Sequence, residues 1–131
     1  MDKGRLLIVE DHPATSRALQ QFLRVCGYRV DVADNVSAAI AANRSATYDL
    51  LICDLNLPDG TGWELLETLR RDAPVRAIAF SAYDHAEHIA QSRASGFIEH
   101  VVKTGTDPDA LLDKIERALQ IAPAQALARQ S

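Results

Sequence analysis

Cysteine is scarce: Cys26 and Cys53 are the only two in the 131-residue chain, with no CxxC pair and no Cys/His cluster. Both fall in or beside segments of core character, so buried free thiols are expected rather than a disulfide or a zinc site. A basic stripe is missing as well. The net charge is −4, with both signs spread along the chain, which leaves no electrostatic footprint for direct nucleic-acid binding. No apolar run approaches the ~18 residues of a membrane span, and no signal-peptide pattern follows the opening MDKGR. A cytoplasmic location without membrane insertion is the default expectation. Neither internal repeats nor low-complexity segments occur. The composition, 47% hydrophobic and 24% charged, is that of one soluble domain with its own core.

The chain is organised around Tyr48 to Trp63, YDLLICDLNLPDGTGW. A short apolar run ending on Asp54 and followed by Asn, Pro, Asp and Gly reads as a buried strand and a turn. Similar units recur on either side. Strands are expected at Arg5–Glu10, Tyr28–Ala33, Asp49–Asp54, Val75–Phe80 and Phe97–Val102. Helices are expected from Ala14 to Cys26, Val36 to about Asn43, Trp63 to about Arg71, Asp84 through Ala94, and from Pro108 onward. The first helix has an apolar stripe of Ala14, Ala18, Leu19, Phe22, Leu23 and Val25. Asp34 or Asn35, Asp84, and Thr106-Asp107 are the expected caps. The fourth helix has few large apolar residues and should be weakly anchored. Strands alternating with helices at this spacing mean an α/β fold with a parallel sheet covered on both faces. The domain is expected over residues 1–122, with 123–131 a short tail or linker remnant.

In such a sheet the carboxyl ends of the strands share one edge, where ligands bind. Strand one ends on Glu10-Asp11, strand three on Asp54, strand four on Ser81, and strand five on Lys103. Clustered carboxylates repel one another unless a cation neutralises them. Oxygen ligands without imidazole or thiolate select Mg2+ or Mn2+. A metal-bound carboxylate facing a phosphoryl group can act as a nucleophile. The metal, the Lys103 ammonium and the Ser81 hydroxyl could each hold one of the transferred oxygens.

With Glu10-Asp11, Asp54 in DLNLPDGTG, Ser81-Ala82 and Lys103 in place, the chain resembles the receiver domain of two-component response regulators over Arg5 to Ala122. The resemblance implies a flavodoxin-like (βα)5 fold with strand order 2-1-3-4-5. It implies that Asp54 accepts a phosphoryl group from a phosphohistidine on a histidine kinase or histidine phosphotransfer protein. Mg2+ would be held by Asp11, Asp54 and the backbone carbonyl of Asn56, with Glu10 reaching it through water. Ser81 would bond the phosphate and Lys103 would pair with it. Phosphate would pull Ser81 and the loop before helix four inward and so alter the face of helix four, strand five and helix five, where a homodimer could form. Asn56 and Tyr83 occupy the positions that line the route of the hydrolytic water, and a bulky Tyr83 could shield the phosphate. The wording VEDHPATSRAL, DLNLPDGTGWELL and SRASGF near HVVK resembles receivers at the C-terminal end of hybrid histidine kinases, and a stand-alone single-domain regulator fits as well. No output domain lies within these residues.

Two positions depart from the family pattern. Thr104 replaces the usual proline after Lys103, so a trans bond is expected there, because cis would cost ~3 kcal/mol. His100 replaces the usual switch aromatic, and an imidazole is smaller and ordinarily titrates near neutral pH, which makes a weaker, differently coupled or pH-sensitive switch an expectation. Plainer roles compete with these. Asp54 in another context would be a turn residue, Glu10-Asp11 a helix cap, Ser81 a strand-end hydroxyl, and Lys103 a solvated lysine. Pro58-Asp59-Gly60 is expected to be a turn without chemistry, and His12, His85 and His88 surface residues. Two other functions compete. A Mg2+-dependent phosphohydrolase would want a second acid two residues after its nucleophile, where Asn56 cannot serve. An interaction module that takes no phosphate would have no need of the intact acid set.

Overall fold

The computed structural model describes residues 3–121. Five strands form one parallel sheet: β1 (Arg5–Val9), β2 (Arg29–Ala33), β3 (Leu50–Cys53), β4 (Ala77–Ser81) and β5 (Glu99–Val102), in the order β2-β1-β3-β4-β5. This is the expected 2-1-3-4-5 arrangement. The helices are α1 (Pro13–Val25), α2 (Val36–Ser45), α3 (Gly62–Arg70), α4 (Ala86–Ser95) and α5 (Pro108–Leu119).

The two-residue alternation of the strands divides the core into two layers. Leu7, Val9, Leu51, Cys53, Ala77 and Ala79 face a cluster with Ala39 of α2 and Leu65, Leu66 and Leu69 of α3. Leu6, Ile8, Leu50, Ile52, Ile78 and Val101 face Leu19 and Leu23 of α1 and Leu111, Ile115 and Ala118 of α5. The central strands β1 and β3 are buried on both faces, which is why they read as unbroken apolar runs. Edge strand β2 carries exposed Arg29 and Val32.

The caps explain most helix starts. Asn35 Oδ1 accepts from Ala38 N–H at 2.8 Å, and Asp107 Oδ1 from Ala110 N–H at 2.8 Å. Thr61 caps α3, its Oγ1 accepting from Glu64 N–H at 3.1 Å. Gly96 ends α4 with φ 114°, a left-handed value that favours glycine.

Three expectations are corrected. Val25 is 88% exposed rather than part of the α1 core stripe, because it lies two residues, about 200°, around the helix from buried Leu23. Asp84 does not cap α4. The helix starts at Ala86 with His85 as its N-cap, whose carbonyl oxygen accepts from His88 N–H and Ile89 N–H, so Asp84 falls one residue too early. His88 is not a free surface residue: its ring stacks on Tyr83 at 4.5 Å and tilts against Trp63 at 6.1 Å. His12 and His85 are exposed as expected. No described peptide bond is cis, so Lys103-Thr104 is trans. The tail, 123–131, lies outside the described residues.

Candidate functional site

The parallel ladder continues past the strand ends and fixes the site backbone. Glu10 N–H donates to Ala33 O at 3.0 Å, Asp54 N–H to Val9 O at 2.9 Å, and Lys103 N–H to Ser81 O at 2.9 Å. Each bond ties a polar residue to the neighbouring strand, so the chain cannot slip one position without losing it. Glu10, Asp54 and Ser81 are buried, while Asp11 and Lys103 are half-buried and Asn56 is exposed.

Lys103 joins the acids. Its Nζ donates to Asp54 Oδ2 at 3.1 Å and also to Glu10 Oε1. Asp54 Oδ1 accepts from Asn56 N–H at 3.3 Å, and Glu10 Oε2 from His12 N–H at 3.2 Å. Burial pushes the Glu10 carboxyl upward, and the like charge of Asp54 adds to that against the bond from Lys103. Burial alone would pull Lys103 down, but its bonds to Glu10 and Asp54 outweigh it, so the ammonium is held more firmly than usual. A crowded set of carboxylates thus already draws a cation to itself, here the lysine's own.

Glu10, Asp11 and His12 each offer a ligand atom within 4.8 Å of the others. The carboxylate oxygens of Glu10 and Asp11 suit a hard divalent cation, and exposed His12, expected from the sequence to be a surface residue, is the third member of this group, while Asp54 is not part of it. Beside them opens a cleft of about 330 Å³ lined in part by Glu10, Asp11, Ser16 and Asp34. The site's floor is tight. A Cβ on Gly62 would come within 2.5 Å of Asp54 O and 3.1 Å of Cys53 Sγ. That thiol donates to Asp54 O at 3.0 Å, and burial raises its pKa far above the usual thiol range.

Ser81 and Tyr83 lie across the edge. Ser81 Oγ accepts from Tyr83 N–H at 3.3 Å. The Tyr83 ring stacks against both His88 and Trp63, at 4.5 and 5.9 Å, and those two rings also touch each other. The His100 ring is turned into the protein, bonded to Ser92 Oγ and Tyr83 O. The structure therefore brings Glu10, Asp11, Asp54, Asn56 and Lys103 together, and ties Ser81, Tyr83 and His100 into a second group.

Sequence patterns missed two features here. The turn after Asp54 is a short antiparallel ribbon, Asn56–Leu57 with Gly60–Thr61. Asp59 at its tip accepts from Val36 N–H at 2.7 Å and Ser37 N–H at 3.0 Å, anchoring the loop to the start of α2. Trp63 and Ser92 also join the His100 group, and no local signal marks Trp63. Ser92 is a serine on the inner side of α4, three residues after Ile89, and that placement is the one available hint.

A family model described as the response regulator receiver domain matches residues 6–116. The transcriptional regulatory protein PcoR of Escherichia coli is 32% identical over 123 residues, covering 93% of this chain and 54% of PcoR. CusR of Escherichia coli strain K12 is 33% identical over 102 residues, covering 76% of this chain and 44% of CusR. The chain spans about half the length of these curated relatives. A CheY-like receiver domain protein from Methanospirillum hungatei JF-1 superposes with a TM-score of 0.82 at 30% identity, covering 88% of this chain and 93% of that one. TrrA of Thermotoga maritima, solved in complex with Mg(2+)-BeF, superposes with a TM-score of 0.78 at 30% identity, covering 90% of this chain and 99% of that one. Among the described residues no helix is long and apolar enough to cross a membrane. On its fold, its strand-end residues and these matches, the chain belongs to the response regulator receiver domains, the phosphoacceptor modules of two-component signalling.

Proposed function

We propose that Asp54 is the phosphoacceptor of this receiver and that a histidine kinase or histidine phosphotransfer protein supplies the group in the cytoplasm. The observation that carries this is the placing of Asp54: buried at the end of β3, ion-paired with Lys103, and one ladder step from the acids after β1. A carboxylate oxygen of Asp54 forms the new bond to phosphorus as the bond from phosphorus to the donor's imidazole nitrogen breaks. The electron pair leaves with that imidazole, which takes up a proton.

Glu10, Asp11, Asp54 and the backbone carbonyl of Asn56 would hold Mg2+, or Mn2+ in its place, and the bound ion supplies positive charge against the phosphoryl oxygens. Lys103 moves its ammonium from the carboxylates to the transferred group, and Ser81 donates its hydroxyl to it. Asn56 and Tyr83, each two residues beyond a site residue, tune how quickly water removes the phosphate. Beyond its own phosphorylation and dephosphorylation the domain catalyses nothing. Its output is a population shift in the face of α4, β5 and α5, presented to a partner or to a second copy.

The test is chemical. Incubation with acetyl phosphate and Mg2+ should yield an adduct on the Asp54 peptide that hydroxylamine cleaves, as expected of an acyl phosphate, and Asp11→Asn should form it much more slowly. A hydroxylamine-stable adduct, or one on another peptide, would overturn the assignment.

A further inference from the structure

Both nitrogens of the His100 ring are hydrogen-bonded inside the protein. Nε2 lies 2.6 Å from Tyr83 O, and Nδ1 lies 2.8 Å from Ser92 Oγ. Ser92 is fully buried, and its Oγ also accepts from the Trp63 indole Nε1–H at 3.0 Å. On the other side, Tyr83 N–H donates to Ser81 Oγ at 3.3 Å. The ends of this chain fix its direction. An indole N–H only donates and a backbone carbonyl only accepts. In the neutral ring the hydrogen therefore sits on Nε2, Nδ1 accepts, and the Ser92 hydroxyl donates to it. The chain runs from Trp63 at the start of α3, through Ser92 of α4 and His100 of β5, to both backbone polar groups of Tyr83 and so to Ser81 at the end of β4.

We propose that Trp63, Ser92 and His100 are positioning residues for Ser81, forming a directional hydrogen-bond chain that parts at Tyr83 when the Ser81 hydroxyl turns to a phosphoryl group. This rests on Asp54 being the acceptor. Cys53 pairs with Ala79, so Ser81 stands one residue beyond the level of Asp54 and must shift to reach a group there. Tyr83 is pinned at its N–H by Ser81 and at its carbonyl by His100, so that shift strains both bonds. The strain passes to the seam of α3 and α4, where Ser92 is the buried residue of α4. The switch then works by breaking a bonded chain, because both nitrogens of the His100 ring are held by partners within the protein.

The test uses imidazole nitrogen NMR, the Trp63 indole N–H resonance and amide exchange at Tyr83, on the native chain, Ser92→Ala and His100→Phe. Each is measured before and after acetyl phosphate with Mg2+, with intact mass on the same samples. The native His100 should be a single Nε2–H tautomer, and Ser92→Ala should mix its tautomers. Both variants should speed Tyr83 exchange about tenfold. Once the mass has risen, the native Trp63 indole resonance should shift, and that shift should be lost in both variants. A native Nδ1–H tautomer, unchanged Tyr83 exchange in the folded variants, or a Trp63 shift that survives them would overturn the proposal. His100→Phe carries the exchange and indole readouts if Ser92→Ala does not fold. A native mass that does not rise refutes Asp54 as acceptor, and the tautomer and exchange readouts still decide whether the chain of bonds exists.

Discussion

Replacing Gly62 by alanine should damage stability and chemistry together. The added Cβ would meet Asp54 O at 2.5 Å, Cys53 Sγ at 3.1 Å and Leu55 Cα at 3.1 Å, against 3.4–4 Å for ordinary contact. Two of these neighbours are backbone atoms, so no side-chain rotation relieves the clash. Either α3 lifts from the sheet, disturbing buried Leu65, Leu66 and Leu69, or the end of β3 moves and takes the Asp54 carboxylate with it. Overpacking of this kind costs ~1–3 kcal/mol, and rigid neighbours put this case near the upper end. A chain of this size loses roughly 3–5 °C of Tm per kcal/mol, so a fall of about 10 °C is expected. Differential scanning calorimetry measures the fall, and intact mass against time with acetyl phosphate measures phosphorylation, which should slow alongside. A Tm within about 2 °C of native, with unchanged phosphorylation, would show that α3 does not press on the acceptor's backbone.

Lys103→Met should uncouple two properties of the site. With the ammonium gone from Glu10 and Asp54, Mg2+ binding should tighten several-fold, while phosphorylation slows; calorimetric titration and the mass assay read the two. Asp59→Asn removes the carboxylate that holds the Val36 and Ser37 amides, so exchange at those amides should rise while exchange in α5 stays as it was. The same bonds hold the Asp59 pKa low, so its contribution is present above the unfolded-state value and is lost as pH falls through the folded one. Tyr48 behaves in the opposite sense. Burial, and then its bond to Asp31, raise its pKa to about 12, so its contribution is full below ~10 and disappears as pH climbs to about 12. An alkaline unfolding series should show this loss in the native chain and not in Tyr48→Phe.

Much of the site was legible because buried parallel strands are apolar, so a polar residue at a strand end stands out. Glu10, Asp54, Ser81 and Lys103 were marked this way, and the ladder bonds past the strand ends place them where the pattern puts them. The illegible parts depend on contacts between residues distant in sequence. Asp59 reaches back 23 residues to Val36, and Trp63 reaches 29 residues on to Ser92. Neither has a local signature. His100 was picked out as a departure from the family's aromatic, but its inward orientation is set by Ser92 and Tyr83 and not by its own neighbours in sequence. Val25 looked like core because it is apolar, and the helix turns it to solvent. The misplaced α4 cap came from preferring the better capping residue, Asp84, over His85, whose backbone carbonyl begins the helix.

The most direct measurement is intact mass after incubation with acetyl phosphate and Mg2+, for the native chain and for Asp54→Asn. The native chain should gain one phosphoryl group, the gain should vanish when a chelator removes the metal, and Asp54→Asn should gain none. A native chain that gains nothing, or an Asp54→Asn variant that gains the group as the native one does, would contradict the claim that Asp54 is the acceptor.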